Sequence, residues 1–403
     1  MKDEDTVLID DDLWDEIIEL TGGAAAACYQ CGVCTATCPW GLARDEPILV
    51  RALLRQAQLG LAPGCDGLWL CTTCAQCEAY CPRGVSIVDV FRGLRSLAWE
   101  RRQVPRGLPS LLWSVYWNNN PWSQPPSQRS AWARSLDLPT FDPARHEILF
   151  YVGCTSAYDW RGRKVARSLA RLFDAAGVAF GVLGDDEPCC GEAVLSAGHI
   201  PYFEDVAHHT AHIFQDRGIT RLVTISPHCY DVFKHHYPRC HDGFQPLHYT
   251  QFLSTLIEER RLRLDRSVEL KVTFHDPCYL ARHTGECQAP RRILQAIPGV
   301  TLIEMPHAGM DTLCCGGGGG RMWMETAAGG RLADLRIEEA RATGAQVLAT
   351  ACPFCVACLE DCLKARRVKD MAVLDVAEIA ARALAGNGSG SGEDGLCKTD
   401  RNT

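Results

Sequence analysis

The stretch C-Y-Q-C-G-V-C-T-A-T-C-P at residues 28–39 decides the N-terminal fold, and C-T-T-C-A-Q-C-E-A-Y-C-P at residues 71–82 repeats its spacing. Both stretches read C-x2-C-x2-C-x3-C-P, the ligand pattern of bacterial proteins with two [4Fe–4S] clusters. In that pattern the cysteine before proline reaches the cluster held by the other stretch. We therefore predict two cubane [4Fe–4S] clusters, with these ligands: Cys28, Cys31, Cys34 and Cys81 at site A, and Cys71, Cys74, Cys77 and Cys38 at site B.

A pair of zinc knuckles is the alternative for these cysteines. Structural zinc sites commonly use two separated C-x2-C pairs, whereas each stretch here has three equally spaced cysteines and a fourth before proline. The spacing favours iron–sulfur clusters. The chain has 403 residues and 23 cysteines, and a cytosolic chain of this size needs no disulfides to hold its core. The cysteine content therefore also indicates metal or redox chemistry.

Helical patterns surround both stretches. A short acidic helix is expected near residues 10–20, and a second helix before Gly60, with these apolar residues on one face: Val50, Leu53, Leu54 and Ala57. A third helix is predicted to carry apolar residues from Ile87 to Ala98 and to begin with a capping box of Ser86 and Asp89. Residues 1–103 are therefore predicted to form an all-α ferredoxin-like domain.

Two further groups of cysteines reveal an internal duplication. The first group is Cys154, Cys189, Cys190 and Cys229, and the second is Cys278, Cys314, Cys315, Cys352 and Cys355. E-P-C-C-G-E at 187–192 matches T-L-C-C-G-G at 312–317, and T-I-S-P-H-C at 224–229 matches T-A-C-P-F-C at 350–355. The offset stays at about 125 residues over all landmarks, which indicates two copies of one unit. The copies differ at one ligand position, where Ser226 replaces the equivalent of Cys352.

Strands and helices alternate from residue 147 onward, which predicts parallel sheets with helices on both faces. We place the first copy at 147–266 and the second at 267–385. Ligands in such folds collect at the carboxyl ends of the strands, where the cysteines of both copies are expected. The whole chain is therefore predicted to be a multidomain α+β protein.

Two segments lie outside these units. Residues 104–146 contain seven prolines and four tryptophans, which predicts a connecting strap with little regular structure. This strap either packs along its own protein or forms a docking surface for a partner subunit. Residues 386–403 are rich in glycine and serine and are predicted to form a flexible tail.

The adjacent pair Cys314-Cys315 indicates a specialised cluster. Neighbouring side chains bind one corner of a compact cubane poorly, but they can bridge an opened, elongated cluster. The glycine run 316–320 follows directly, and its lack of Cβ atoms lets backbone approach a cofactor closely. A phosphate-binding loop fits less well, because the run lacks the Lys-Ser/Thr of a P-loop.

Both copies resemble the cysteine-rich CCG domain of heterodisulfide reductases and related iron–sulfur oxidoreductases. The ferredoxin-like part resembles the C subunit and residues 147–385 resemble the B subunit, so that the fusion resembles the D subunit of the membrane-linked enzyme. The resemblance implies one noncubane [4Fe–4S] cluster for each complete motif, and a pair of copies that reduces a disulfide. It implies that the second copy binds such a cluster through Cys278, Cys314, Cys315, Cys352 and Cys355, which would carry the catalytic chemistry. The first copy, with Ser226, would hold an altered cluster, another metal or nothing.

Three groups of histidines are candidates for further ligands or proton carriers. His208, His209 and His212 form H-H-x-x-H, which is either a metal site or a solvated helix face. His228 is a candidate replacement for the ligand lost at Ser226. His275, in the H-D-P-C wording of the family, either ties its loop or donates a proton to a reduced thiolate.

These features predict an iron–sulfur electron-transfer subunit, which passes electrons through both cubane clusters to the second copy for disulfide or thiol redox chemistry. The alternatives are a non-catalytic relay, and a zinc-stabilised interaction scaffold. Expected partners are a flavoprotein, a hydrogenase-type subunit or a membrane quinone or cytochrome subunit. The net charge of −8 argues against nucleic-acid binding. The sequence has no membrane span, so we expect a cytoplasmic protein that reaches membranes through a partner.

Overall fold

The structure is a computed structural model that describes residues 11–45, 48–61, 65–237, 243–325 and 330–385. The predicted tail at 386–403 lies outside the described residues. The N-terminal region is helical, as predicted, and contains α1 (Asp11–Thr21), α2 (Val33–Ala36), α3 (Trp40–Ala43), α4 (Val50–Gln58), α5 (Cys65–Leu70), α6 (Gln76–Ala79) and α7 (Ile87–Glu100). The predicted inner face of α4 is buried, with Leu54 and Ala57 almost inaccessible.

Helix α7 is the central support of this region. It is buried on nearly all sides, because it packs against α1 within the helical region and against α12 (Ile200–Asp216) of the first copy. The predicted capping box is wrong. Ser86 occupies the N-cap without a side-chain bond, and Glu78 Oε1 instead accepts the backbone N–H of Val88 at 2.6 Å. The cap is therefore supplied from the site B stretch, which fixes α7 to the cysteine loop.

The segment 104–146 is more regular than its prolines indicate. It contains α8 (Gly107–Asn118) and a 3-10 helix at Pro126–Ala133. Pro109 lies in the first turn of α8, where its missing N–H removes no helical hydrogen bond. One face of α8 is buried through Leu108 and Leu111. The other face is exposed through the neighbouring rings of Trp113, Tyr116 and Trp117.

Two four-stranded parallel sheets follow, as the alternating pattern predicts. The first has the order β2-β1-β3-β4, and the second has the equivalent order β6-β5-β7-β8. Their strands are β1 (Ile148–Tyr151), β2 (Phe180–Gly181), β3 (Arg221–Thr224), β4 (Gln245–His248), β5 (Leu270–Phe274), β6 (Val300–Leu302), β7 (Val347–Thr350) and β8 (Ala372–Asp375). The identical strand order supports the duplication. Strand β2 is shorter than the predicted range 178–183, because residue 182 leaves the sheet to bridge Thr140 of the strap.

The helices of the two copies cover both sheets. Those of the first copy, besides α12, are α9 (Cys154–Tyr158), α10 (Trp160–Ala175), α11 (Glu192–Ser196), α13 (Pro227–His235) and α14 (Tyr249–Glu258). Those of the second copy are α15 (Gln288–Gln295), α16 (Leu332–Ala342), α17 (Pro353–Ala365) and α18 (Val376–Arg382). A single hydrophobic core spans both sheets, and the buried pair Arg161–Glu378 joins α10 to α18 at 2.8 Å. The copies therefore share one core, although the domain boundaries at 103, 146 and 266 stay predictions.

Candidate iron–sulfur sites

Site A is built from the first cysteine stretch and the end of the second. Tyr29 lies close to the thiols of Cys31 and Cys81, so the fourth predicted ligand does return to the first stretch. Gln30 has a positive φ of 66° and directs its N–H to Cys28 Sγ at 3.4 Å. Backbone N–H groups that face thiolate sulfur are what an iron–sulfur cluster needs. Cys31 is exposed, so one edge of site A faces solvent.

Site B repeats this geometry in a buried setting. Thr73, at the position equivalent to Gln30, has a φ of 51° and directs its N–H to Cys71 Sγ at 3.4 Å. A cavity lies among the four predicted ligands, and its remaining wall is largely apolar. Burial and the neighbouring thiols raise the pKa of Cys38 to about 12, because a thiolate there lacks compensating charge. A bound cationic iron centre would supply that charge, so these residues fit a cubane cluster.

The five cysteines of the second copy form a continuous row of neighbouring thiols. The thiol of Cys278 lies beside that of Cys314, followed in turn by those of Cys315, Cys355 and Cys352. All five thiols are buried. A row, in place of a compact tetrahedron, fits an elongated cluster. The assignment of a noncubane cluster to these residues stays a prediction.

His275 lies against this row. A ring nitrogen of His275 and the sulfurs of Cys315 and Cys355 are within 4.8 Å of one another, and all three residues are buried. Arg336 donates Nε–H to His275 Nδ1 at 3.0 Å, which places the proton of the neutral ring on Nε2. Burial and the nearby Arg336 hold the pKa of His275 well below its usual value. Neutral His275 thus carries a buried Nε2–H without a hydrogen-bond partner among the described residues, next to these thiols, while the imidazolium form is disfavoured.

The first copy brings its four cysteines together as well. Cys190 and Cys229 have their sulfurs 3.2 Å apart, Cys154 hydrogen-bonds Cys189, and Ser226 lines the same cleft. The second copy contributes Phe354 to this cleft and the strap contributes Pro121. The cleft between the copies therefore opens onto the first-copy thiols.

Sequence reasoning missed an ion pair that supports this site. Arg129 of the strap donates to Cys154 Sγ at 3.4 Å and forms a buried ion pair with Glu187 at 2.9 Å. Glu187 also accepts the backbone N–H groups of Val152 and Gly153, both at 2.9 Å. One difference between the copies could have indicated this ion pair. Glu187 lies two residues before the Cys-Cys pair of the first copy, and the second copy has Thr312 at the equivalent position.

Site B contacts the second copy directly. The thiol of Cys314 lies beside that of Cys74, and this neighbour together with burial raises the pKa of Cys74 well above its usual value. Cys314 Sγ also lies 3.4 Å from Thr72 Oγ1. A Cβ at Gly318 or Gly319 would lie 2.3 Å from the carbonyl oxygen of Thr72 or Cys71, respectively. The glycine run therefore allows its loop to approach the site B loop closely. The predicted approach of the same run to a cluster stays a prediction.

His228, the candidate replacement for the ligand lost at Ser226, lies against residues of both copies, and its role as a ligand stays a prediction. Its Nδ1 lies 3.1 Å from Glu192 Oε1, and the ring also hydrogen-bonds Cys352. Although burial opposes the charge, Glu192 and Cys352 raise the pKa of His228 to about 10. The same hydrogen bond, with that from Cys355, brings the pKa of Cys352 down to about 5 despite burial. His228 and Glu192 of the first copy therefore influence the protonation of Cys352 in the second copy.

A stack of three rings extends this connection. His228 stacks on Tyr279 with a centroid distance of 3.8 Å, and Tyr279 stacks on His283 at 4.1 Å. The Tyr279 hydroxyl hydrogen-bonds Thr73 Oγ1 at 2.7 Å and Ser196 Oγ at 3.1 Å. Tyr279 thereby joins the site B loop to both copies.

The H-H-x-x-H sequence is a solvated helix face. His208, His209 and His212 are exposed on α12, and His212 pairs with Asp216 at 3.5 Å. Among the described residues, the group with metal-ligating geometry is that of His275, Cys315 and Cys355.

Comparison with known proteins agrees with this geometry. Residues 148–234 and 272–360 match the cysteine-rich CCG domain family, and residues 24–85 match the 4Fe-4S dicluster domain family. The D subunit of the dihydromethanophenazine:CoB–CoM heterodisulfide reductase of Methanosarcina barkeri is 30% identical over 392 residues, which cover 89% of this chain and 93% of that relative. The chain belongs to the heterodisulfide reductase D-subunit family. It combines a 4Fe-4S dicluster domain with two CCG domains, and one relative that it resembles is named as an iron–sulfur-binding oxidoreductase.

Relatives with other names have a similar sequence identity to the chain. "Probable iron-sulfur-binding oxidoreductase FadF" of Bacillus subtilis is 34% identical over 331 residues, which cover 80% of this chain and 47% of the relative. The EtfAB:quinone oxidoreductase of Syntrophomonas wolfei is 30% identical over 346 residues, which cover 82% of this chain and 48% of the relative. The chain thus spans about half the length of these two relatives. Within the described residues, we find no helix with the length and hydropathy needed to cross a bilayer.

Proposed function

We propose that the chain is the electron-transfer subunit of a heterodisulfide-reductase-like complex. When bound, the clusters would supply one-electron transfer from site A through site B to a noncubane [4Fe–4S] cluster in the second copy. The observation that carries this order is the 3.4 Å contact between Cys314 Sγ and Thr72 Oγ1, which sets a predicted second-copy ligand against the site B loop.

The residues around this junction exclude water and hold the two loops together. Thr72 and Cys314 are buried, and the glycine run leaves no side chain between the loops. Arg282 anchors the junction, because its guanidinium donates to the carbonyl oxygens of Cys74 at 2.6 Å and Thr312 at 2.7 Å. These contacts thus fix the distance between site B and the second-copy thiols, on which the proposed electron transfer depends.

Disulfide or thiol redox chemistry is the proposed terminal reaction. The cleft between the copies is lined by the first-copy thiols, by His228 and by Phe354. This cleft offers a sulfur substrate an apolar wall and a hydrogen-bonding histidine beside Cys352. A non-catalytic relay is the second candidate, and Ser226 favours it, because serine is a poor ligand for iron held by sulfide.

The names of relatives support the choice of partners. EtfAB:quinone oxidoreductase suggests an electron-transferring flavoprotein on one side and a quinone-linked membrane subunit on the other. A hydrogenase-type partner is a further candidate from the sequence. We propose a cytoplasmic location, with membrane contact through such a subunit.

The order of transfer is tested by separating site B from the second copy. Gly319→Ala would place a Cβ 2.3 Å from the Cys71 carbonyl oxygen at a φ of +64°, whereas Gly344→Ala meets nothing within 4 Å at a φ of +70°. The two variants share the left-handed backbone strain, so Gly344→Ala is the matched control. Rapid-freeze electron spin resonance after mixing with dithionite should show normal reduction of the cubane clusters and delayed reduction of the second copy in Gly319→Ala alone. Equal rates in both variants would refute the proposed order.

The terminal chemistry is tested on anaerobically purified protein. Iron and acid-labile sulfide should reach about 12 atoms each per chain if three [4Fe–4S] clusters are bound. A paramagnetic signal of the oxidised protein that depends on added thiol would support disulfide chemistry. Normal cubane signals without a thiol response would favour the relay, and zinc without iron would leave the interaction scaffold.

A further inference from the structure

Three exposed arginines lie near site A, and we call them the basic collar: Arg51, Arg55 and Arg83. Arg83 lies close enough to Tyr29 to act electrostatically on its hydroxyl. The Cδ of Arg51 lies 3.7 Å from the position that a Cβ on Gly32 would take. The collar thus approaches the first cysteine stretch from two elements, α4 and the loop after Cys81.

Arg55 joins the collar through a pair of glutamines. Its Nη1 donates to Gln58 Oε1 at 3.5 Å, and the Gln58 amide donates to the Cys28 carbonyl oxygen at 2.7 Å. Gln30 completes the link by donating to Gln58 Oε1 at 3.0 Å. These contacts hold the base of the collar against the ligand loop, while the guanidinium groups remain exposed.

Two side chains of site A reach the surface near these arginines. Tyr29 is 59% exposed, and Cys31 is the exposed thiol among the eight ferredoxin-type cysteines. Cys74 of site B is buried, and its loop is covered by the second copy. Site A is therefore the edge at which a cluster lies nearest to solvent and to a visiting protein.

The collar is positively charged, whereas the chain as a whole has a negative net charge. The whole sequence carries a net charge of −8, yet no ion pair joins a collar guanidinium to a carboxylate within the described part of the chain. Unpaired surface charges of one sign around a redox site steer partners of the opposite sign and raise association rates by roughly 10- to 1,000-fold. The charge pattern thus selects an acidic partner.

We propose that the basic collar is the docking site of an acidic one-electron carrier protein, whose negative surface surrounds its own exposed redox group. Docking would place that group against Tyr29 and Cys31. One electron then leaves the carrier and enters site A, so the carrier is oxidised and site A is reduced, and no bond or proton changes place. This inference rests on the proposed function, because it treats site A as the outer end of the electron path.

The test uses the full chain and a reduced acidic two-[4Fe–4S] ferredoxin as the probe. The variant Arg51→Gln/Arg55→Gln/Arg83→Gln removes the collar, and the corresponding triple lysine variant keeps its charge. Arg171→Gln/Arg260→Gln/Arg266→Gln is the matched control, because these arginines are exposed on the CCG part. Stopped-flow absorbance at low salt should show at least a roughly tenfold lower second-order rate for the glutamine variant. The lysine variant and the control should stay within about twofold of the parent.

A binding measurement provides the second readout. Calorimetric titration with the oxidised ferredoxin should show weaker association for the glutamine variant and a loss of salt dependence. Reduction by dithionite should be the same in all variants, which verifies that site A is intact. Equal rates and affinities for parent and glutamine variant, or flotation of the parent with anionic vesicles in place of ferredoxin binding, would overturn the docking proposal alone. Parent protein that dithionite cannot reduce would overturn the proposed function itself.

Discussion

Arg95 should be the side chain on which the assembly of the whole molecule depends most. It is completely buried on α7, and its guanidinium donates to four backbone carbonyl oxygens from all three parts of the chain. These acceptors are Leu68 at 2.9 Å and Cys71 at 2.7 Å in the ferredoxin-like part, Ser196 at 2.5 Å in the first copy, and Gly319 at 3.0 Å in the second. Arg95→Leu would leave these carbonyl groups without that donor beside site B.

The loss of stability expected for Arg95→Leu follows from two opposing contributions. Hydrogen bonds to a charged group contribute about 1.5–3 kcal/mol each, so four amount to about 6–12 kcal/mol. Burial of the charge opposes them by several kcal/mol, and the same burial lowers the pKa of Arg95 to about 10. We expect Arg95→Leu to lower the free energy of unfolding by about 4 kcal/mol. With an unfolding entropy of about 2.1 cal/mol/K per residue, this corresponds to a fall in Tm of about 5 °C.

The assay is anaerobic differential scanning fluorimetry, combined with amide hydrogen exchange. Arg101→Leu is the control, because Arg101 is exposed at the C-cap of the same helix. Arg95→Leu should lower the Tm and accelerate exchange around residues 196–198 and 318–320, whereas Arg101→Leu should do neither. A Tm shift below about 1 °C for Arg95→Leu, or equal shifts for both variants, would refute the reasoning that this guanidinium joins the three parts.

Three further predictions concern buried polar groups. Arg129→Leu leaves Glu187 as an unpaired buried carboxylate and should cost about 3–5 kcal/mol in urea unfolding; the double variant with Glu187→Gln should recover part of this, and no recovery would contradict the ion-pair account. Tyr279→Phe keeps the ring stack but removes a hydroxyl bonded to two buried groups, so it should cost about 1–3 kcal/mol, whereas Tyr158→Phe at a partly exposed hydroxyl should cost less; equal costs would count against it. Burial raises the pKa of Asp375 to about 7, so the folded state binds more protons than the unfolded state, and stability should fall between about pH 4 and 7 and level off above. A Tm series from about pH 5 to 8 should show this slope reduced in Asp375→Asn, and an unchanged slope would exclude Asp375 as its source.

The spacing of the cysteines and the alternation of predicted strands and helices were sufficient to predict the fold class and to propose the ligand sets. The C-x2-C-x2-C-x3-C-P stretches set their own loop geometry, since Gln30 and Thr73 at equivalent positions adopt the same left-handed backbone. The steady offset between the two Cys-Cys-Gly units likewise predicted a duplication, and the two sheets have the same strand order. The loop geometry depends on residues close in sequence, and a repeat is visible within one sequence, which is why a single sequence reveals both.

Features that depend on distant contacts could not be read in this way. Arg129 contacts Cys154 and Glu187, and its own neighbourhood is a proline-rich segment without helical or strand periodicity. The cap of α7 comes from Glu78, although Ser86 satisfies the local capping pattern. In both cases the contact comes from a residue of another element, and a local sequence pattern carries no information about that residue.

The incomplete first copy has a physical reason to persist even if Ser226 prevents an ordinary cluster there. Glu192 and His228 belong to this copy, yet their ion pair positions a hydrogen bond on Cys352 of the other copy. Ser196 of the same copy holds the Tyr279 hydroxyl, which in turn contacts the site B loop. Loss of a thiolate at Ser226 removes one ligand but none of these contacts. The first copy therefore remains necessary because it supplies contacts to Cys352 of the second copy and to Tyr279, whether or not its own thiols hold a metal.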